Sequence, residues 1–373
     1  MDFDFSDDQY AFRDTVRKLL ASRFTGPKPN APRPTNAATH TLQMEIAALG
    51  IFGLLVPEEY GGSGLTAVDL SLVLEEFGRA LVPPTSIDSL VATDAIVRYA
   101  TEEQKAEWLP AVAGGRLQIA LALTESDAGY DPNDFGTGVM TSSALTLTGN
   151  KILVANAAAA DKLLVVARAG QGTALVLVEP GRAGISIREH ETLDPSSDYS
   201  QVSFDSVRLS ASDLLASSES DEPALRVMDA SALAAATLMT GISGAVFDAT
   251  VEYVKQRQQF GKVLGSFQAI KHRCADMLVS LDSCKSAVYY AAWAFANDNK
   301  DQRKAISIAK AFCGDASRFI CNQGTQLHGG MGFTWELGLH FYLRRAKMLE
   351  YAYGDSIFHR KRLLRESLAE LAI

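Results

Sequence analysis

The sequence predicts an α+β protein made of a helical stretch, a run of strands and a second helical stretch, in that order. Three observations carry this. All twelve prolines lie at or before Pro223, leaving a long proline-free tract rich in Ala, Leu, Lys and Arg. Proline lacks an N–H and clashes inside a helix, so such a tract reads as helix after helix. The middle of the chain instead holds short segments rich in Val, Ile and Leu, separated by Gly, Asp, Ser or Pro, which is the pattern of strands. Because these blocks are segregated rather than alternating, they imply separate α and β layers, not a βαβ sheet. The length, 373 residues with 47% hydrophobic and 21% charged, corresponds to about two to three domains of about 150 residues each. The boundaries fall at 1–115 (helical), 116–220 (strands) and 221–373 (a helical bundle).

Taken in order, Phe5, Tyr10, Phe12, Val16, Leu19 and Leu20 fit one amphipathic helix, and Leu42 to Leu49 begins another. Between them Gly26 to His40 carries four prolines and little apolar content, as expected of an exposed, mobile loop. Helices follow near Ala67–Gly78, Ser86–Tyr99 and Thr101–Ala113. Strands are expected at Leu117–Thr124, Leu145–Val154, Lys162–Ala167, Ala174–Glu179, Ile185–Glu189 and Gln201–Leu209. In the last block Ala269, Ile270, Cys274, Met277, Leu278, Leu281, Cys284, Val288 and Ala292 keep the 3.6-residue period of a core-facing helix.

Charge and cysteine usage exclude several classes. Thirty-five Lys and Arg against 44 Asp and Glu give a net charge of -9, so no general field draws in nucleic acid. Cys274, Cys284, Cys313 and Cys321 show no CxxC spacing and no neighbouring His cluster, which fits neither a metal site nor a secreted disulfide framework. Met1 leads into Asp2, Asp4, Asp7 and Asp8, and no stretch of about 18 apolar residues is free of charge. The expectation is a cytoplasmic protein with no membrane partner.

Individually the candidate site residues are weak signals. His328, in Gln-Leu-His-Gly-Gly-Met-Gly, suits a base, but a His beside a glycine turn is more often a packing or capping residue. Gly329, Gly330 and Gly332 would let backbone approach a phosphate. No strand precedes them, so a Rossmann or P-loop reading fails its context. Arg257 and Phe260, in Arg-Gln-Gln-Phe-Gly, suit an anion clamp and a ring contact.

Together and in this order, however, the motifs resemble the acyl-CoA dehydrogenase family. The matching stretches are Leu54-Leu-Val-Pro-Glu-Glu-Tyr-Gly-Gly-Ser-Gly64, Ala122-Leu-Thr-Glu-Ser126, Arg257-Gln-Gln-Phe-Gly-Lys262 with Phe267-Gln268, and Gln326-Leu-His-Gly-Gly-Met-Gly-Phe333. The resemblance spans nearly the whole chain. It implies an N-terminal helical domain, a central β-barrel-like domain and a C-terminal four-helix bundle, usually in a tetramer built as a dimer of dimers. It also implies FAD as cofactor, an acyl-CoA substrate oxidised to a 2-enoyl-CoA, and an electron-transfer flavoprotein as acceptor. In that chemistry FAD takes a hydride from Cβ while a carboxylate of raised pKa removes a proton from Cα, acidified by hydrogen bonds to the thioester oxygen.

The resemblance further implies an FAD site shared between two subunits, and its halves are retained unequally. The half donated to a neighbour matches throughout: Arg257 and Phe260 at the pyrophosphate and ring contacts, Gln326, Gly329 and Gly330 on the adenosine side. On the half that holds a chain's own flavin, Thr124 is kept. The aromatic three residues earlier is Leu121, and the phosphate-binding Ser six residues later is Tyr130. The Trp-Ile-Thr-Asn stretch reads Leu153-Val-Ala-Asn156, so Leu153 and Ala155 replace a stacking ring and a hydroxyl donor. Tyr-Glu-Gly-Thr-Ser-Gln reads Ala352-Tyr-Gly-Asp-Ser-Ile357, which puts Tyr353 at the catalytic Glu position and Asp355 and Ile357 at flavin contacts.

No family base is therefore intact. The alternative base position, on an earlier helix, aligns near Ser231, and Asp229 lies about 200° around a helix from it. Tyr353, with a reference pKa near 10, would need roughly 4 kcal/mol of site electrostatics to act as a base at neutral pH; Asp355 is a weak candidate. Drift in a complete enzyme would damage both halves alike. One-sided loss points instead to a subunit of a heteromeric, α2β2 enzyme, of the kind found in bacterial lipid and steroid side-chain catabolism, that completes the FAD site of a second, unlike chain. The rivals are a homomeric flavoenzyme using Asp355 or Tyr353, and a flavin-free scaffold of the same fold.

Overall fold

The computed structural model describes residues 5–23, 36–141, 144–194 and 198–371. Helices α1 (Asp7–Arg23), α2 (Asn36–Ala48), α3 (Ala67–Ala80), α4 (Pro84–Tyr99) and α5 (Glu102–Ala113) come first. Eight strands follow: β1 (Ile119–Ala122), β2 (Gly138–Thr141), β3 (Leu145–Ala155), β4 (Lys162–Ala169), β5 (Gly172–Val178), β6 (Ile185–His190), β7 (Tyr199–Arg208) and β8 (Leu214–Ser218). After α6 (Glu222–Gln256) come a small hairpin, β9 (Gln258–Gln259) and β10 (Lys262–Val263), and the helices α7 (Gln268–Ala296), α8 (Gln302–His328), α9 (Leu339–Tyr351) and α10 (Ser356–Leu371). Helices, strands and helices thus follow in the expected order.

The chain forms two compact units, each drawn from separate stretches. One comprises Arg33–Thr66 and Pro83–Ser231; the other comprises Met1–Pro32, Ala67–Val82 and Ala232–Ile373. In the first, β1 to β8 make one sheet in the order β6-β7-β3-β2-β4-β5-β8, with β1 also pairing β4. The β1–β4 and β2–β4 pairs are parallel and the others antiparallel. Strand β5 is buried throughout, which is why it reads as an unbroken apolar run rather than an alternation. On its far side β1 meets α4 instead of another strand: Ile119 N–H donates to Ser89 Oγ (3.0 Å) and Leu121 N–H to Asp88 Oδ2 (3.2 Å). Burial raises the Asp88 carboxyl to about 8, against the opposing effect of the Leu121 N–H.

In the second unit nine consecutive residues of α3, Leu70 to Gly78, are buried, as expected of a helix enclosed on all sides. It crosses α6 at very short range. A Cβ on Gly78 would lie 2.2 Å from the Leu238 carbonyl oxygen, and one on Gly241 would lie 1.9 Å from that of Glu75. The carboxylates of α3 are met from other helices: Arg17 makes two bonds to Glu76 (2.6 and 2.8 Å), and Tyr289 Oη–H donates to Glu75 (2.5 Å). Against the sequence expectation, residues 230–247 of α6 are an uncharged run, and α6 is the one described helix long and apolar enough to cross a bilayer, yet 83% of that apolar window is buried inside the protein. Its apolarity is accounted for by packing.

Three details differ from the sequence reading. Helix α2 starts at Asn36, six residues before Leu42, so only Gly26 to Thr35 of the expected loop is left, and these lie outside the described residues. Strands β2 and β8 went unforeseen: Gly-Val-Met-Thr is only four residues long and Leu-Leu-Ala-Ser-Ser has no β-branched residue, and both exist through their sheet partners. The two-residue strands β9 and β10 are too short for any pattern to register.

Two predictions follow from this packing. Gly241→Ala has no room for its methyl and should destabilise the chain by about 3 kcal/mol, read as a lowered midpoint in denaturant unfolding. Asp88 titrates near 4 when unfolded and about 8 when folded. Its contribution to stability is therefore present below about pH 4 and lost as pH rises toward 8. Asp88→Asn still accepts the Leu121 N–H but does not titrate, so its thermal midpoint should exceed that of the parent at pH 7.5 and match it at pH 4.

Candidate functional site

Arg257 follows directly on α6, its N–H bonded to the Tyr253 carbonyl (2.8 Å). It is exposed. The next residues turn back in a hairpin in which Gln259 pairs with Lys262, leaving Phe260 and Gly261 as a two-residue loop with φ of 56° and 78°. Two successive positive φ values are the pattern of a type I′ turn, which favours Asn-Gly. A phenylalanine there costs about 1–2 kcal/mol of backbone strain and recovers little by burial, since Phe260 is 87% exposed. Neither turn chemistry nor core packing explains this ring.

Gln326, Gly329 and Gly330 lie exposed at the end of α8. The space where a Cβ of either glycine would stand is open for 4 Å, and Gly329 has φ 60° and ψ -138°, a region that side chains disfavour. His328 is buried. Its Nδ1 bonds the Gly324 carbonyl (2.8 Å) and its ring stacks on Tyr253 at 4.3 Å, while Tyr253 Oη–H donates to the His328 carbonyl (3.3 Å). Burial lowers the His328 pKa, partly offset by the Gly324 carbonyl. The packing reading of His328 holds, and its stack with Tyr253 joins the segment bearing Arg257 and Phe260 to the one bearing Gln326, Gly329 and Gly330.

Leu121, Thr124, Tyr130, Leu153 and Ala155, also named from sequence, occupy the sheet-containing unit. Leu121 is buried on β1, and the Thr124 carbonyl accepts the Ile152 N–H (2.9 Å). Leu153 sits where β3 loses register with β7, between Lys151 and Val154, with φ 55° and 38% exposure. Ala155 is buried, and Tyr130 is half-buried on the loop after β1. Sequence reasoning missed the pair that stitches this region together. Fully buried Lys151 donates to Glu125 (2.8 Å) and to the Leu123 carbonyl (3.1 Å), with its ammonium 3.9 Å from the Phe135 ring centre. Glu125 also accepts the Gly136 and Thr137 N–H groups (2.7 and 3.1 Å), closing the neck of the loop that carries Tyr130. Burial lowers Lys151 to about 8 against the pull of Glu125. Burial pushes the Glu125 carboxyl up, but the Lys151 charge and the hydrogen bonds outweigh it and hold it below the usual range. Removing one partner of such a pair costs about 3–5 kcal/mol. The signal was present in Glu125, inside a quoted motif, and in Lys151, two residues before Leu153.

Tyr353 lies in the turn between α9 and α10, with φ 58°. Asp355 caps α10: its Oδ1 accepts the Phe358 N–H (2.8 Å) and its carbonyl the His359 N–H (3.1 Å). That carboxylate serves as an N-cap through Oδ1. Ile357 is exposed. On α6, Ser231 Oγ–H back-bonds to the Val227 carbonyl (2.7 Å), and Asp229 is buried.

These surroundings can be tested against FAD, which asks for a cation at its pyrophosphate, apolar ring contacts and backbone free of side chains at its edges. Arg257, Phe260, Gln326, Gly329 and Gly330 have that chemistry and stand open. Leu121, Leu153 and Ala155 supply neither a ring to stack nor a hydroxyl to donate, so the flavin-holding set fits the cofactor poorly.

Comparison with known proteins agrees with the fold. The family models for the acyl-CoA dehydrogenase N-terminal, middle and C-terminal domains match residues 6–116, 120–207 and 223–368. A probable acyl-CoA dehydrogenase of Bacillus subtilis, YngJ, is 29% identical over 99% of this chain and 100% of its own. The caffeyl-CoA reductase-Etf complex subunit CarC of Acetobacterium woodii is 28% identical over 84% of this chain and 85% of its own. Butyryl-CoA dehydrogenase of Megasphaera elsdenii superimposes with a TM-score of 0.88 at 24% identity, covering 99% of this chain and 100% of that one. With all three domains matched in order, the chain belongs to the acyl-CoA dehydrogenase family, whose cofactor is FAD.

Proposed function

We infer that this chain is one of two unlike subunits of a heteromeric, α2β2 acyl-CoA dehydrogenase, and that its part is to complete the FAD site of a partner chain that carries the catalytic carboxylate. When bound, FAD supplies a two-electron acceptor for α,β-dehydrogenation of an acyl-CoA thioester. Arg257 would hold the pyrophosphate, Phe260 would cover the ring system, and Gln326, Gly329 and Gly330 would line the adenosine side.

The observation that carries this reading is Phe260: a bulky ring held at a strained hairpin tip, 87% exposed, in a chain whose own flavin-holding positions Leu121, Leu153 and Ala155 offer no stacking ring and no hydroxyl donor. Membership of the family supports oxidoreductase chemistry broadly. The Etf complex named for the Acetobacterium relative supports an electron-transfer flavoprotein as acceptor. A bulky acyl group from lipid or steroid side-chain catabolism and a cytoplasmic location belong to the same proposal. The homomeric rival is weakened by the capping role of Asp355, whose Oδ1 is committed to the Phe358 N–H.

Flavin content separates the readings. Expressed alone, the chain should purify pale; coexpressed with its complementary chain, the tetramer should carry two FAD per four chains. One tightly bound FAD per chain in a homotetramer would overturn the heteromer, and absence of flavin in every combination would leave the scaffold. In the assembled complex Arg257→Ala should weaken FAD by about 1.5–3 kcal/mol, roughly 10- to 150-fold. An unchanged FAD dissociation constant, measured by fluorescence titration, would remove Arg257 from the site.

A further inference from the structure

The turn from Ala352 to Asp355 is shaped by side chains from outside it. Tyr353 and Gly354 both have left-handed backbone, with φ of 58° and 104°, a conformation that a tyrosine holds only when its surroundings impose it. Two buried bases do so. Lys310, on α8 and 1% exposed, donates to the carbonyls of Glu350 (3.0 Å) and Gly354 (2.7 Å). Its charge thus faces the C-terminal end of α9, where unpaired carbonyls concentrate negative potential. The Glu350 carboxylate is engaged separately by Arg318 and Lys347.

The second base is His359 on α10, also 1% exposed, with Nε2 3.0 Å from the Tyr353 carbonyl. A carbonyl only accepts, so Nε2 carries the proton and Nδ1 is a lone pair. Nδ1 lies 3.4 Å from Ser307 Oγ, which itself accepts the Arg362 Nε–H (2.8 Å) and therefore turns its own proton toward the imidazole. A single proton arrangement satisfies the chain Arg362, Ser307, His359, Tyr353. Burial, with the charges of Arg362 and Lys310, lowers the His359 pKa to about 3, which keeps the ring neutral as this tautomer requires. A Cβ on Gly354 would stand 2.6 Å from His359 Nε2, so glycine there is what lets the imidazole reach the turn.

Two turn carbonyls, those of residues 353 and 354, and the α9 carbonyl of residue 350 are thus held by two side chains, and none of these bonds involves the side chain at 353. We propose that Lys310 and His359, the latter oriented by Ser307, are positioning residues that set the place and left-handed backbone of residue 353 whatever side chain stands there. This holds with or without a partner chain, so it can fail independently of the heteromer reading.

The test places 3-fluorotyrosine at position 353 of the full chain and reads its fluorine NMR signal, with the same label at Tyr199 as a control. The parent and His359→Gln, whose amide can still donate to the Tyr353 carbonyl, should give one narrow line at the same position. Lys310→Met and His359→Leu should shift, split or broaden that line while the Tyr199 signal stays in place. Ser307→Ala removes only the hydroxyl that orients the imidazole and should give a second, shifted line. It decides alone if the buried-base variants do not fold. A line at 353 unmoved in Ser307→Ala and in every folded Lys310 or His359 variant would overturn the proposal.

Discussion

The second unit depends on two helices approaching until no methyl group fits between them. Gly78 and Gly241 bring α3 and α6 into backbone contact, and from that crossing α3 reaches the rest of the unit. Arg17 from α1 and Tyr289 from α7 meet its two buried carboxylates. From α9, Tyr342 Oη–H donates to the Arg79 carbonyl and Arg345 to that of Val82. The crossing also fixes α6, whose end launches the Arg257 segment and whose Tyr253 stacks on His328 at the end of α8. The segments that carry Arg257 and Phe260, and Gln326, Gly329 and Gly330, are therefore held by helix packing.

Backbone strain is spent at a few places. Of the seven non-glycine residues with positive φ among the described residues, three are Leu153, Phe260 and Tyr353, the first two singled out from sequence as flavin-site positions and the third as the base position. In each case the surroundings over-determine the conformation. Leu153 sits at a register break beside the Lys151–Glu125 pair, Phe260 is held by hairpin pairing, and Tyr353 by Lys310 and His359. Strain of about 1–3 kcal/mol per residue survives only where its neighbours leave no alternative.

The two buried lysines solve one problem in different ways. Lys151 is compensated by a carboxylate that also ties down two backbone N–H groups. Lys310 has carbonyls as its hydrogen-bond partners, and burial lowers it further, to about 7. A buried ammonium needs either a counter-charge or oriented dipoles, and here each choice locks a different loop.

By itself the sequence determined the order of helices and strands, because proline exclusion and apolar runs act locally, and it determined the family through motifs whose spacing is a covalent property. Arg257, Phe260, Gln326, Gly329, Gly330 and Thr124 could be named as candidates for the same reason, as could Tyr353 at the position where the family carries its base. Only the tertiary structure decided that β2 and β8 are strands, that Asp355 is a cap, that His328 is a packing residue, and that Lys151, Lys310, Ser307 and His359 hold the loops in place. The loop-holding contacts come from afar in the chain: Lys310 meets carbonyls 40 and 44 residues on, Lys151 meets Glu125 26 residues back, and Ser307 meets His359 52 residues on. A lysine or histidine in a helical pattern reads the same whether it meets water or a buried carbonyl, until packing removes the water.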